Sequence, residues 1–424
     1  MKKHSFCIFT LLLAVAAMAC SHKPQPADDE EAVATAADYA ARLGLGWNLG
    51  NQFDSYNDGV SSETAWGNKP VGRAIFDSVA AAGFTHVRIP VTWLGHVGPA
   101  PDYRIDSAWL DRVARAVDYA EQAGLCAILN IHHDGADSAH WLDIKGAAAD
   151  SARNAEVSAQ LAAMWTQIAT RFADKGDFLM FEAFNEIHDG GWGWGNNRCD
   201  GGRQYATHNG WLQTFVDAVR ATGGNNATRF LGIPGYCTNP QLTADHLVLP
   251  ADSVADRLLV AVHFYDPVSF AINAEKTEWG HTASPGAKEK WGDEDNVADV
   301  FDALEAKFIA RGVPVYIGEF GCGNRATERA EAFRRYYLEY VCRAAADRRI
   351  ALTYWDNGYN TTGHEAFGLF DRATGALYSP SARAAVEAMT RGYDLSDSTR
   401  TLQTIYDAAP RPKRQNEIST KHKP

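Results

Sequence analysis

The chain has 424 residues, 46% of them hydrophobic and 22% charged, with a formal net charge of −12. That length can bury one large α/β core or two smaller ones, and the acidic balance repels phosphate backbones, which argues against nucleic-acid partners. A surplus of carboxylates suits a neutral ligand, and 12 Trp are generous for core packing alone.

Lys2 and Lys3 precede an apolar stretch from Phe6 to Ala17 that is too short to span a bilayer. The run Ala17-Met18-Ala19-Cys20 resembles a bacterial lipoprotein cleavage box, with Ala where that pattern prefers Leu; a plain cleaved signal peptide is the alternative. On this reading residues 1–20 are the signal, Cys20 carries the lipid, and residues 21–37 form a solvated tether. Asp28-Asp29-Glu30-Glu31 resembles the acidic export tag of surface lipoproteins in Bacteroidetes-type bacteria, which implies an outer-membrane or cell-surface location in a Gram-negative cell. Beyond the leader stand Cys126, Cys199, Cys237, Cys322 and Cys342, an odd number at long spacings with no CxxC. They predict buried free thiols, with Cys199–Cys237 the pair worth checking.

From residue 38 onward short apolar runs alternate with helix-period segments, the pattern of βα units and a parallel sheet. Strands are expected at Leu43–Asn48, Thr85–Ile89, Leu125–Ile131, Phe178–Phe184, Arg229–Ile233, Leu258–Phe264, Val313–Ile317 and Ile350–Trp355, with helices such as Ser107–Gln122, Val157–Phe172, Trp211–Ala221, Val297–Ala310 and Arg329–Ala345 between them. Repeated βα units predict an α/β fold, a (β/α)8 TIM barrel in a single domain over 38–394, with functional groups at the C-terminal strand ends. An open doubly wound sheet would want a Gly-rich phosphate turn after its first strand, and Gly44, Gly46 and Gly50 have the wrong spacing for one. Trp109, Trp165, Trp211, Phe333, Tyr337 and Tyr340 recur at helical spacing and read as core. Apolar periodicity lapses over 395–424, which predicts a frayed tail.

The predicted strand ends concentrate polar chemistry. They bear Asn48 and Asn51 on the first, Arg88 on the second, His132-His133-Asp134 on the third, Asn185-Glu186 on the fourth, His263 and Tyr265 on the sixth, Glu319 on the seventh, and Trp355-Asp356-Asn357 on the eighth. Any one has a structural explanation; convergence on one barrel face is harder to explain that way. Cleaving an acetal needs a proton donor and a carboxylate on opposite sides of the bond, and Glu186 and Glu319 are the Glu residues at strand ends. Glu182 lies on the same face as Glu186 but deeper, and reads as a buried acid paired with Arg88 or a His. A metal hydrolase built on His132, His133, Asp134 and His263 is a poorer reading, because adjacent His residues on a strand point to opposite sides. No cofactor or metal is called for.

Gly46-Trp47-Asn48-Leu49-Gly50-Asn51, Val87-Arg88-Ile89-Pro90, Asn130-Ile131-His132-His133-Asp134, Phe184-Asn185-Glu186, Val262-His263-Phe264-Tyr265, Ile317-Gly318-Glu319-Phe320-Gly321 and Tyr354-Trp355-Asp356-Asn357-Gly358, in this order, resemble glycoside hydrolase family 5. Glu63-Thr64-Ala65-Trp66-Gly67-Asn68 and Phe367-Gly368-Leu369-Phe370-Asp371-Arg372 resemble its subfamily 4, which contains endo-β-1,4-glucanases and xyloglucanases. Ile187 stands where the family usually has Pro.

The resemblance implies a monomeric, retaining endo-β-1,4-glucanase acting on cellulose-type glucan, mixed-linkage glucan or xyloglucan. Glu319 would be the nucleophile, held ionised by Arg88 and Tyr265, and Glu186 the acid/base, its pKa raised by Glu319. Asn185 would bind the sugar 2-hydroxyl, His132 and His263 would orient the network, and Trp355 would floor the reacting sugar, with a cis peptide to Asp356. His133 and Asn51 join the substrate-binding set. Trp66, Trp93, Trp141, Trp192, Trp194, Trp279 and Trp291 fall in strand-end loops where rings can stack on sugars, and Trp192-Gly193-Trp194-Gly195 reads as a mobile loop. A β-mannanase of the same family and a non-catalytic glycan-binding lipoprotein are the rival functions; the latter has no use for paired carboxylates.

Overall fold

The computed structural model describes residues 35–135 and 140–411. Cys20, the expected tether up to residue 34 and residues 412–424 lie outside the described residues. Parallel strands β1 (Leu45–Leu49), β2 (His86–Ile89), β3 (Cys126–Asn130), β4 (Leu179–Glu182), β5 (Leu231–Pro234), β6 (Leu258–Phe264), β7 (Val315–Phe320) and β8 (Ala351–Asp356) close into a barrel. The seam is β8 against β1, with Leu45 opposite Leu352 and Leu49 opposite Asp356. Each strand overlaps its predicted run, and the helix Ser107–Gln122 has the predicted bounds, started by the Asp106 carboxylate accepting from the Ala108 N–H.

The strands read as continuous apolar runs because both faces are covered. Outward residues such as Trp47, Val87, Leu129, Phe181 and Val262 pack into the core shared with the helices. The interior is stacked in layers. The helix Ala36–Leu43 lies under the N-terminal ends of the strands: Tyr39 stacks on Phe230 at 4.2 Å, and Leu43 and Tyr39 join Ile128, Met180, Leu259 and Ala351 in a separate apolar plug. Above it His86 bridges the Leu43 carbonyl (2.7 Å) and the Thr353 hydroxyl (2.8 Å). Gly46 admits that imidazole, since a Cβ there would lie 2.2 Å from its ring. The polar layer of the site sits higher, toward the C-terminal strand ends.

Several expectations are corrected by packing. Ala36 is buried in the plug helix, so the domain begins before residue 38. The tail is shorter than predicted: Leu402–Asp407 form a capped helix that buries Ile405, Tyr406 stacks on His281 at 3.6 Å, and Glu339 receives Arg391 and Arg400. Trp93 and Trp279 are core residues despite their loop positions. The Trp93 Nε1–H reaches the Asn130 carbonyl, and Trp279 packs among Tyr336, Tyr337 and Tyr340. The Trp355–Asp356 bond is trans, both residues continuing the ladder opposite Asn48 and Leu49; the cis bonds among the described residues precede Pro101 and Pro267. All five described cysteines are free thiols, Cys199 exposed rather than buried.

Replacing Ile405 by Ala should destabilise the domain by about 2–4 kcal/mol, as for other buried aliphatic truncations. Thermal or urea unfolding reads this directly, and an unchanged midpoint would mean that the terminal helix is not part of the folded unit.

Candidate active site

Arg88, on β2, is fully buried and makes the central contacts. Its Nη2 donates to Glu182 (2.7 Å) and to the Asn185 side-chain oxygen (2.8 Å), and its Nη1 to Glu319 (2.8 Å) and the Asn48 side-chain oxygen (3.1 Å). One guanidinium therefore fixes residues from β1, β4 and β7 together with the turn after β4. Glu182 also accepts from Tyr316 and Asn130 (2.8 Å); burial acts to raise its carboxyl, but Arg88, the Tyr316 hydrogen bond and His263 hold it below the ordinary range. Because Arg88 takes the Asn185 oxygen, that side chain's NH2 remains to donate elsewhere.

Glu319 accepts a second hydrogen bond, from Tyr265 (3.1 Å). Glu186 stands opposite, just beyond β4, and its Oε1 lies 2.6 Å from His263 Nδ1. An oxygen of each carboxylate and a ring nitrogen of His263 all lie within 4.8 Å of one another, close to the ~5 Å spacing of retaining rather than inverting carboxylate pairs. His263 Nε2 is buried against Gly318 without a hydrogen-bond partner, and Nδ1 carries the proton that Glu186 accepts. His132 completes the floor: its ring stacks parallel to Trp355 at 5.8 Å and its Nε2 is 3.8 Å from Glu319. Burial, reinforced by His133, Arg88 and His263, keeps His132 neutral.

The electrostatics differ from the sequence expectation. Burial raises the Glu319 carboxyl, with the Glu186 charge adding to it; His263 and Arg88 oppose this without cancelling it. Arg88 acts on Glu319 through both charge and hydrogen bond, but burial of the carboxyl is the larger effect. At Glu186 burial also acts upward, but His263, His188 and His133 outweigh it and the carboxyl is lowered. In the free protein the pair thus favours its proton on Glu319. The arrangement with the proton on Glu186 has the same net charge, so the two titrate as one unit.

Other predicted residues take different places. His133 leaves the carboxylate network for an aromatic wall with Tyr56 and Trp66, at 6.0 and 5.5 Å, and its Nε2 is 3.7 Å from Asp54. Asn51 adopts a left-handed backbone (φ 54°), its N–H donating to Asp54 and its carbonyl accepting from Asn68. Asp134 accepts from the Trp93 N–H and Trp141 Nε1, a structural role that removes it from any shared ligand set with His263. Asp356 anchors the segment after β8, accepting from Trp47 Nε1 and the N–H groups of Leu369 and Phe370. Sequence reasoning placed Asn48 at a strand end without giving it a role, and it missed Asn130 and Tyr316 as partners of the centre. It also missed Thr238, whose hydroxyl is 3.4 Å from Glu186 on a turn where Cys237 and Thr238 both have positive φ. The inward alternation along β1, β3 and β7 was the available signal for the first three.

A closed (β/α)8 barrel presenting two facing carboxylates beside an indole floor is the architecture of a barrel glycosidase. The chain belongs to the cellulase family, glycosyl hydrolase family 5, whose model matches residues 51–361. A broad-specificity endoglucanase of the GH5-4 group from Bacteroides salanitronis is 59% identical with a TM-score of 0.84, over 86% of this chain and 97% of that one. A Bacteroidetes-affiliated GH5 cellulase linked with a polysaccharide utilization locus is 48% identical with a TM-score of 0.87, over 89% and 98%. A xyloglucan-specific endo-beta-1,4-glucanase of Bacteroides ovatus is 36% identical over 83% of this chain and 70% of its own length.

Glu182→Gln removes the charge that neutralises Arg88. The carboxylate pair then binds its single proton less tightly, so the alkaline limb of the pH profile of kcat/KM should move to lower pH. A limb that stays in place would show that Glu182 does not set the pair's titration.

Proposed function

We propose that this glycoside hydrolase is a retaining endo-β-1,4-glucanase, with Glu319 as nucleophile and Glu186 as acid/base, and that it accepts xyloglucan as well as unbranched glucan. The observation that carries this is the pairing of Glu186 and Glu319 across His263, at the close spacing of retaining rather than inverting carboxylates. The broad-specificity and xyloglucan-specific relatives support the choice of substrate.

In the first step Glu319 attacks the anomeric carbon while Glu186 gives its proton to the departing glycosidic oxygen, leaving a glycosyl ester on Glu319. Reaction draws on the arrangement with the proton on Glu186; His263 bridges the two carboxylates. Asn185, its oxygen held by Arg88, offers its NH2 to the sugar 2-hydroxyl, a contact that strengthens as charge develops at the anomeric carbon. Trp355, backed by His132, supports the sugar ring. Esterification removes the charge of Glu319, and Glu186, now ionised, takes a proton from water as that water displaces the enzyme from the sugar. Two inversions restore the β-configuration.

We also propose that Cys20 is lipidated and holds the enzyme at a membrane. Cys20→Ser should move the protein to the soluble fraction with unchanged activity on soluble glucan; a variant that still sediments with membranes would refute the anchor.

Glu319→Ala should lose nearly all turnover on every substrate. Glu186→Ala should retain cleavage of activated aryl cellobiosides, whose leaving group needs little protonation, and azide should then restore turnover and yield the β-glycosyl azide. An α-azide, or β-azide rescue of the Glu319 variant, would reverse the two roles. Product analysis on xyloglucan, carboxymethylcellulose, barley glucan and glucomannan tests the substrate class: sole release of a terminal sugar contradicts endo action, and preference for mannan contradicts a glucanase.

A further inference from the structure

The loop beyond Glu186 is a cross-braced arch rather than a mobile segment. Asp189 accepts from the N–H groups of Gly191 (3.0 Å) and Asn197 (2.9 Å) and from Gln204. Asn197 is buried, accepts from the Gly195 N–H and donates to the Gly193 carbonyl and the Tyr205 hydroxyl; Arg198 Nε also reaches Gly193. The feet of the arch are pinched together: a Cβ on Gly191 would lie 2.3 Å from Gly195 Cα, and one on Gly195 would lie 2.1 Å from Asp189. Those glycines are there for close approach, not freedom.

This rigid frame holds out two indoles. Trp192 is 58% exposed and Trp194 is 74% exposed, among the most exposed large apolar side chains of the described residues. Each is backed on one face, Trp192 by His188 (ring centroids 4.1 Å apart) and Trp194 by the Arg198 guanidinium (3.7 Å from the ring centre). The ring that backs Trp192, His188, is two residues past Glu186 in the chain. Arg198, the residue stacked on Trp194, also lines a cavity of about 410 Å3 together with Tyr205, Gln241, Asp245 and His246. Tyr205 and His246 stack on each other at 3.8 Å within it.

We propose that the arch carries the leaving-group side of a β-glucan away from the catalytic pair, first over Trp192 and then over Trp194 into this cavity. The inference rests on Glu186 being the acid/base, because that residue faces the departing oxygen and the arch grows from its loop. Fixed, one-sided indoles offer apolar faces to the axial C–H surfaces of equatorially linked pyranoses without an ordering penalty at binding. The cavity offers an amide, a carboxylate and a guanidinium, side chains that hydrogen-bond hydroxyl groups, and the opposite charges of Arg198 and Asp245 give no net preference for an ion. A neutral polyhydroxylated chain fits both parts.

The test is kcat/KM along a series of β-1,4-gluco-oligosaccharides of increasing length, for the wild type, Trp192→Ala, Trp194→Ala and Trp194→Phe, each checked by melting curve. The wild type should gain rate with each added leaving-side sugar. Trp194→Ala should lose about tenfold of that gain, the scale of one buried ring face, confined to the longer members; Trp192→Ala should lose it from a shorter length onward, and Trp194→Phe should keep most of it. A length dependence in Trp194→Ala identical to the wild type would overturn the extended path. Failure of the wild type to cleave any member would be a different result, overturning the glucanase reading and this inference with it.

Discussion

The interior of this barrel is organised by the burial of one guanidinium. Moving a permanent cation out of water is costly unless its donors are met in fixed geometry, and Arg88 meets that condition with two carboxylates and two side-chain amides drawn from across the barrel. The rigid fork of Arg gives each partner a defined position. Asn48 and Asn185 are oriented by it, Glu182 is held ionised deep in the barrel by it, and Glu319 is aimed upward by it. Removing any partner would leave charge stranded in a dry environment.

The same constraint sets the charge available to the upper layer. Were Glu182 absent, Arg88 would act on Glu319 as a full cation. With Glu182 in place that cation is shared between two carboxylates, and burial of Glu319, with the Glu186 charge, outweighs the pull of His263 and Arg88. The upper pair can pass its proton between partners without changing its total charge, which suits a reaction in which the two groups exchange protonation state between steps.

Much of this was legible in the sequence. Strand runs buried on both faces and the polar residues ending them are linear patterns, so the barrel and the convergence of Arg88, Asn185, Glu186, His263, Tyr265, Glu319 and Trp355 could be read directly. Burial of an aromatic in a loop is not linear: Trp93 and Trp279 resemble Trp192 and Trp194 in sequence, and which are core depends on loops folding back over the helices. Glycine-rich composition suggested mobility at the arch because its braces, Asp189 and Asn197, act at offsets that only the folded loop brings together. The titration of Glu186 and Glu319 was misjudged because the depth of burial of Glu319 and the histidines gathered around Glu186 are set by the folded barrel, not by the linear motif. The segment after residue 394 seemed too polar to pack, yet one buried Ile and one stacked Tyr suffice to dock it.

The plug helix Ala36–Leu43 has a mechanical consequence. It enters under the N-terminal strand ends, where Leu43 and Tyr39 contact His86, Phe178 and Phe230, so the chain leaves the domain at Thr35 from the pole opposite the carboxylates. Force applied through the preceding residues is borne by the apolar base and the hydrogen-bonded staves of the barrel, along their length, rather than by the loops that shape the cleft. The base of the barrel is thereby closed by the chain's own entry, and the open rim at the opposite pole is left free to meet a long polymer.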